Sequence, residues 1–167
     1  MKYLAAIALL LSSPATAAVV SSDAHDLVVR EIVQTSATPD AAWAAFLRIG
    51  QWWSAEHSYS GKAANLSLDA RPGGCFCELA GEGGVEHMRV AVSLPPKRLV
   101  MTGSLGPLLY EATAGVMDVT FERAAGGTKV TMEYRASGFA QGNADKLAPV
   151  VDQVLGEQLR RYAESLK

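Results

Sequence analysis

Residues 143–167 read NADKLAPVVDQVLGEQLRRYAESLK. In this stretch, apolar side chains from Leu147 to Leu166 recur at the three- and four-residue intervals of one α-helical face. Charged side chains such as Asp152 and Arg160 mostly fill the opposite face. A helix of this length, roughly 30 Å, needs a broad apolar partner because packing supplies most of its stability. We therefore expect the rest of the chain to form a sheet that curls around this helix, with a cavity between them.

The chain ahead of this helix has the pattern of an antiparallel meander. We predict strands at 26–36, 65–69, 75–80, 85–94, 98–105, 114–123 and 128–136. Tight turn sequences such as Gly126-Gly127 separate successive strands. After the first strand, Thr38-Pro39-Asp40 combines an N-cap, a first-turn proline and an acidic residue, which predicts a helix start. Gln51-Trp52-Trp53 continues as a second short helix or turn. The predicted fold class is α+β, with a curved antiparallel sheet of about seven strands wrapped around a long C-terminal helix and two short helices after the first strand.

Alternation along the strands predicts which side chains face the helix. The strand 75–80 is predicted to turn its cysteines inward and Phe76 and Glu78 outward. The strand 85–94 is predicted to turn His87 outward. The predicted inward set is rich in sulfur and includes Cys75, Cys77, Leu79, Met88, Val90, Val92, Leu94, Met101, Met117, Val119, Met132 and Tyr134.

The two cysteines are separated by the single residue Phe76. Two steps along a strand place their Cα atoms roughly 6.6 Å apart, which is the strained limit for a disulfide. We therefore expect two thiols on one face of a strand. Such a pair could also clamp a soft metal such as copper(I), which makes Cys75 and Cys77 weak candidates for a metal site.

The first residues have the pattern of a secretory signal peptide. Met1-Lys2-Tyr3 supplies a positive start, Leu4 to Leu11 is apolar but too short to span a bilayer, and Ala15-Thr16-Ala17 has the form of a cleavage site. A buried N-terminal helix is the alternative. We predict cleavage after Ala17, which leaves residues 18–167 as one exported domain, either periplasmic or secreted. The mature chain has no other segment long enough to span a membrane.

Charge and composition narrow the classes of partner. The full sequence has 15 basic and 17 acidic residues and a net charge of −2. Scattered charge of this kind gives no electrostatic footprint for nucleic acid or for an anionic membrane surface. The sequence also lacks a phosphate loop, a nucleophile elbow and a zinc motif, and no cofactor is predicted. No long exposed apolar stripe suggests an oligomer, so a monomer is expected.

Several short phrases resemble a known family. Thr38-Pro39-Asp40-Ala41-Ala42-Trp43, Trp52-Trp53, Arg71-Pro72-Gly73-Gly74 and the segment 92–100 occur in the order found in the START-like (SRPBCC) helix-grip superfamily. They are similar to the branch named after activators of the heat-shock ATPase (AHSA-like). The resemblance implies binding of hydrophobic ligands, cyclase or dehydratase activity on polyketide-like substrates, or assistance to a chaperone. The predicted export argues against the last of these, because an ATP-driven chaperone partner is cytosolic.

The leading interpretation is an exported protein that binds a small hydrophobic, lipid-like or aromatic molecule between the sheet and the last helix. The predicted lining is Trp53, Cys75, Cys77, Met88, Val90, Met101, Met117, Val119, Met132, Tyr134, Val151 and Leu155. Methionine and cysteine are also ordinary core residues, so the same set could simply fill the interior.

The alternative interpretation is a cyclase- or dehydratase-type enzyme. It would need an acid or base inside the apolar cavity, where desolvation raises the pKa of a carboxyl group. The candidate residues are Glu56, His57, Glu86 and Tyr134. Each of them could equally be a solvated loop residue or, for Tyr134, a core tyrosine with a bonded hydroxyl.

Overall fold

The structure, a computed structural model, describes residues 18–167. The predicted signal peptide, residues 1–17, lies outside the described residues, so its cleavage stays a prediction. The elements in chain order are β1 (Ala18–Ser22), β2 (Asp26–Thr35), α1 (Pro39–Leu47), β3 (Leu66–Leu68), β4 (Cys75–Ala80), β5 (Gly83–Leu94), β6 (Arg98–Thr102), β7 (Ala114–Ala124), β8 (Gly127–Ser137) and α2 (Ala144–Glu164). Among residues 18–167, neither α-helix combines the length and the apolar character needed to cross a membrane.

The strands form one curved antiparallel sheet in the order β1-β2-β8-β7-β6-β5-β4-β3. The run from β3 to β8 is a meander, and β2 pairs with β8 along its whole length. The predicted fold class is confirmed: this sheet, the long C-terminal helix and short helices after the first strands are all present. The described chain has eight strands rather than about seven because β1, a short and mostly exposed segment without alternation, pairs with the edge of β2.

The predicted helix start at Thr38 is present. Thr38 is the N-cap of α1, and its hydroxyl accepts a hydrogen bond from the Ala41 amide at 3.3 Å. Phe46 of α1 packs edge-to-face against Phe121 of β7, with ring centroids 5.5 Å apart, which fixes the helix against the sheet. The second predicted helix consists of two 3-10 turns, Ile49–Gln51 and Ala55–His57.

The apolar face of α2 packs against the sheet, as its periodicity predicts. Leu155, Leu159 and Tyr162 are buried in the main core. The core side chains of the sheet include the four predicted methionines, Met88, Met101, Met117 and Met132. Each methionine side chain is 1% exposed, so their predicted inward orientation is confirmed.

The two faces of β4 are the reverse of those predicted. Phe76 and Glu78 are buried, whereas Leu79 is 69% exposed, so the prediction that Cys75 and Cys77 face inward is wrong. A phenyl ring removes far more apolar surface from water than a thiol does, and the arrangement that buries Phe76 is therefore favoured.

The expectation of two free thiols is also wrong. Cys75 and Cys77 form a disulfide, and their Cα atoms are 5.3 Å apart. The ladder with β5 is irregular between Phe76 and Cys77, so the spacing of a regular extended strand does not apply here.

A β-bulge in β5 reverses the predicted orientation of His87. Phe76 pairs with Met88 while Cys77 pairs with Glu86, which leaves His87 as an extra residue in β5. His87 and Met88 are consequently both buried. Glu86, predicted at the hairpin end of the inner face, is instead exposed.

A second irregularity in β5 lies between Val90 and Val92. Beyond it the faces of the strand exchange, so Val92 and Leu94 are exposed, contrary to their predicted inward orientation. A strict two-residue period cannot anticipate an inserted residue, and each bulge therefore inverts the faces that follow it.

A buried acidic side chain, Glu31 of β2, lies beneath α2. It is 1% exposed, and within residues 18–167 no donor reaches its carboxyl oxygens. Gly156 of α2 lies directly against it, since a Cβ at this position would be 3.1 Å from Glu31 Oε2. Burial, with the Asp152 carboxyl group acting in the same direction, raises the pKa of Glu31 to about 8. Glu31 is therefore mostly protonated at neutral pH.

We expect Glu31→Gln to become increasingly stabilising, relative to the wild type, as the pH rises. The unfolded chain releases the Glu31 proton near pH 4.5 and the folded chain near pH 8. The wild type therefore loses stability between these values, by up to a few kcal/mol, and the loss levels off above the folded pKa. Urea unfolding across this range measures the difference. Glu82→Gln, at an exposed carboxylate, is the control, and a constant difference between Glu31→Gln and wild type would contradict the expectation.

Candidate functional site

A cavity of about 540 Å³ lies between the N-terminal half of α2, the segment 53–59 and the 3-10 turn Gly106–Glu111. The α2 wall is an apolar stripe at helical spacing, formed by Leu147, Val150, Val151, Val154 and Leu155. This stripe belongs to the same apolar face that packs on the sheet. Because that face is wider than the contact with the sheet, its remaining part lines the cavity.

The turn Gly106–Glu111 forms the opposite wall. It contributes Pro107, Leu108 and Tyr110, and Leu105 precedes it. Gly106 has φ of +53°, a left-handed conformation that favours glycine and allows the chain to turn sharply after β6. The Tyr59 hydroxyl donates a hydrogen bond to the Gly106 carbonyl at 3.2 Å and so joins the two walls at the mouth.

Hydrogen bonds to α2 hold the segment that carries the third wall. The Ser54 amide donates to Gln158 Oε1 at 2.7 Å, and Arg161 Nε donates to the Trp52 carbonyl at 2.9 Å. The indole of Trp53 donates to the His57 carbonyl at 2.8 Å. These bonds orient Trp53 and His57 toward the cavity.

A histidine–carboxylate pair lies at the base of the cavity. His87 lines the cavity, and its Nε2 is 3.0 Å from Glu78 Oε2. The Glu78 side chain is completely buried. It also accepts hydrogen bonds from the backbone amides of Tyr59, at 3.0 Å, and Ser60. The second ring nitrogen, His87 Nδ1, has no hydrogen-bond partner within residues 18–167 and is not sealed from solvent.

Aromatic rings fix the orientation of this histidine. The His87 imidazole stacks on Phe76, with centroids 4.7 Å apart and planes 29° from parallel. Phe76 in turn meets Trp53 edge-to-face at 5.3 Å, and Tyr59 lies 5.7 Å from His87. The His87 ring is thus held between Phe76 of β4 and Tyr59 of the segment 53–59.

The environment of Glu78 favours its ionised form. Burial by itself raises the pKa of this carboxyl group, but hydrogen bonding from Ser60, Tyr59 and His87 outweighs it, so the pKa of Glu78 is lowered. A buried negative charge that is fully hydrogen-bonded therefore lies behind His87, the residue that lines the cavity.

The structure brings some of the predicted site residues together and separates others. The cavity wall includes Trp53, Glu56, His57, Val151 and Leu155 from the predicted set. The predicted side chains that do not line it are Cys75, Cys77, Glu86, Met88, Val90, Met101, Met117, Val119, Met132 and Tyr134. The methionines and valines among them pack in the core, and the Tyr134 hydroxyl is engaged with the Gly103 carbonyl and the Leu105 amide, each at 3.2 Å.

Sequence reasoning missed His87 and Glu78, which it placed on the outer face. The available signal was Phe76: burying the largest apolar side chain of β4 also places Glu78 inside. The 3-10 turn Gly106–Glu111 was likewise not predicted, because the predicted strand ends at residue 105 and no element was assigned to the residues that follow.

A metal site at the cysteines requires a reduced pair. The Cys75, Cys77 and Glu86 ligand atoms lie within 4.8 Å of one another. In the disulfide observed here the sulfurs are not thiolates, which are the form that binds soft metals.

We expect Glu78→Gln to destabilise the protein near neutral pH by roughly 1.5–3 kcal/mol, because charge-assisted hydrogen bonds from two amides and His87 are weakened. Since the pKa of Glu78 is lowered, its stabilisation is present above about pH 4.5, the ordinary pKa of a glutamate, and is lost as the pH falls through the folded-state pKa. The deficit of the variant should therefore shrink in acid. Urea unfolding measures it, with Glu86→Gln on the exposed side of β5 as the matched control. Equal deficits at neutral and acidic pH would contradict this account.

Comparison with known proteins identifies the fold family. The family described as Activator of Hsp90 ATPase homolog 1-like protein matches residues 36–164. A protein of unknown function from Staphylococcus aureus superposes with a TM-score of 0.61 at 17% identity, over 84% of this chain and 93% of that one. An uncharacterized protein from Rhizobium leguminosarum superposes with a TM-score of 0.59 at 22% identity, over 92% of this chain and 98% of that one. A protein from Mesorhizobium loti superposes with a TM-score of 0.60 at 19% identity, over 82% of this chain and 94% of that one.

At these identities the similarity to solved structures establishes the fold alone. No curated protein matches the chain. The family match covers most of the chain, including all three walls of the cavity and the whole of α2. The chain therefore belongs to the Activator of Hsp90 ATPase homolog 1-like family of the START-like superfamily.

Proposed function

We propose that this protein is an exported monomer that binds a small hydrophobic molecule in the cavity between α2 and the turn Gly106–Glu111. The observation that carries the proposal is the cavity, about 540 Å³ in volume, whose walls are mostly aliphatic and aromatic. Sites for small molecules commonly have this size and combine apolar walls with a few convergent polar groups. Here those groups are His87 at the base and His57 on the wall.

Exposed apolar side chains around the mouth support the proposal. Val150, Tyr59 and Tyr110 line the cavity and are large exposed hydrophobic residues, Tyr110 being 77% exposed. Scattered single residues of this kind are normal on a protein surface, but here three converge on one opening. A ligand seated there would cover them, and burial contributes about 0.8 kcal/mol for each methylene removed from water.

The position of the cavity determines where the ligand would lie. The sulfur-rich interior is filled by packed side chains such as Met117, so a ligand there would have to displace them. The cavity beside Val151 requires no such displacement. The ligand is therefore proposed to lie at the N-terminal half of α2, against Trp53 and His87.

The family description alone does not extend a chaperone role to this chain. The signal-peptide pattern in residues 1–17 predicts export, which would separate the protein from an ATP-driven cytosolic partner. A binding role needs only the cavity and is compatible with an exported protein.

We expect Val151→Arg to weaken binding of the uncharged apolar fluorophore N-phenyl-1-naphthylamine at least tenfold, because the substitution places a charge in the apolar wall. Fluorescence titration measures the affinity, and native mass spectrometry of the mildly purified wild type would detect a retained organic ligand. Leu79→Arg, on the outer face of β4, is the matched control and should bind as the wild type does. Equal affinity in Val151→Arg, with an unchanged melting temperature, would contradict the location. Val154→Met, which preserves apolar character, should retain binding.

We expect the exported protein to begin at Ala18. Expression of the full chain in a bacterium, followed by cell fractionation and N-terminal sequencing, tests this. The predicted result is a periplasmic or secreted protein that lacks residues 1–17. Replacement of Ala15 and Ala17 by bulky residues should block processing, because signal cleavage requires small residues at these positions. A cytosolic protein that retains Met1 would contradict the prediction.

A further inference from the structure

We infer that Glu78 and His87 act together as a general base at the bottom of the cavity. The pair takes a proton from a bound apolar carbon acid and so catalyses isomerisation or elimination. The inference rests on the proposed function, since the substrate must first occupy the cavity. Glu78 and His87 lie in the adjacent strands β4 and β5. They face the interior only because the faces of β4 are reversed and β5 contains a bulge.

The geometry has the parts that such a base requires. One nitrogen of His87, Nε2, is 3.0 Å from a Glu78 carboxylate oxygen. The other, Nδ1, has no partner within residues 18–167, and the ring is part of the cavity wall. When Nε2–H donates to the carboxylate, Nδ1 presents its lone pair to a ligand.

The proton transfer balances without a co-reactant. The substrate C–H bond breaks, its proton moves to His87 Nδ1, and the electron pair stays on the substrate as an enolate or expels a leaving group. The imidazolium that results is stabilised by the Glu78 carboxylate, whose own charge is held by the Tyr59 and Ser60 amides. Return of the same proton to another substrate atom completes an isomerisation, and in an elimination the imidazolium passes its proton to the leaving group or to water.

The other ionisable groups facing the cavity are less suited to this role. They are Glu56, His57, Tyr59 and Tyr110. Glu56 is exposed, and His57 is one-third exposed with its nearest carboxylate, Glu157, at 3.7 Å. His87 is the one described histidine that combines burial, a hydrogen-bonded carboxylate and a place in the cavity wall.

A purely structural role for the pair is the competing explanation. Buried histidines often satisfy a neighbouring carboxylate and do nothing more. Loss of stability on mutation cannot separate the two roles. Chemical rescue by an added base can, because it restores proton transfer without restoring a side chain.

The test uses the full mature protein and nitrobenzisoxazole as the probe. Removal of the ring C–H proton of this compound breaks its N–O bond and releases a coloured cyanonitrophenolate, with no oxidant or reductant. The wild type should accelerate this ring opening beyond an equal concentration of free imidazole. His87→Gln should lower kcat/KM by about 100-fold or more, the usual contribution of a general base. Glu78→Gln should lower kcat with little change in KM, as expected for a positioning residue. His25→Gln, outside the cavity lining, is the control.

After subtraction of the rate that imidazole alone gives, His87→Ala should regain activity on addition of imidazole, and the wild type should not respond. Equal ring-opening rates in wild type and His87→Gln, or loss of rate only in His57→Gln, would overturn the inference. Binding of N-phenyl-1-naphthylamine, measured on the same samples, separates the two proposals. If the wild type binds the fluorophore but opens the ring no faster than His87→Gln, the general base fails and ligand binding stands.

Discussion

Docking of α2 on the sheet is the interaction on which the rest of the structure depends. Its apolar face is wider than the strip that the sheet covers, so the C-terminal half completes the core through Leu159 and Tyr162 while the N-terminal half leaves Val151 and Val154 facing a cavity. The same helix also orients the facing segment, because Gln158 and Arg161 bind the backbone at Ser54 and Trp52. One amphipathic helix thus supplies a core layer, a cavity wall and an anchor.

Two buried carboxyl groups show how local donors decide charge in this fold. Glu31 has no donor within residues 18–167 and lies beside Asp152, so burial raises its pKa and the neutral form is favoured. Glu78 is equally removed from water, yet two backbone amides and His87 donate to it, and its pKa is lowered. Desolvation acts on both, and hydrogen bonding to the charged form reverses its effect only at Glu78. The protein therefore places its neutral acid under the helix and its charged acid at the cavity.

The coarse architecture follows from local patterns that tertiary structure did not override. Apolar spacing in residues 143–167 predicts α2, and turn sequences such as Gly126-Gly127 predict the order of the meander. Thr38 begins α1 because its hydroxyl satisfies an amide that the first helical turn leaves free. The inward orientation of Met101, Met117 and Met132 is also correct, because the pairing of β6 with β7 and of β7 with β8 is regular and retains the two-residue period.

The composition of the site was decided by tertiary structure. An inserted residue shifts the register of β5 at His87, and the ring of Phe76 outweighs the thiols of β4 for burial, so a strict alternation assigns both strands wrongly. The sequence by itself determined the helix, the order of the meander strands and which segments are apolar, since these depend on spacing along the chain. Only the folded chain decided where the cavity lies, because that depends on how far α2 extends beyond the sheet. Only the folded chain brought Glu78 to His87, because that depends on which face each strand turns toward the helix.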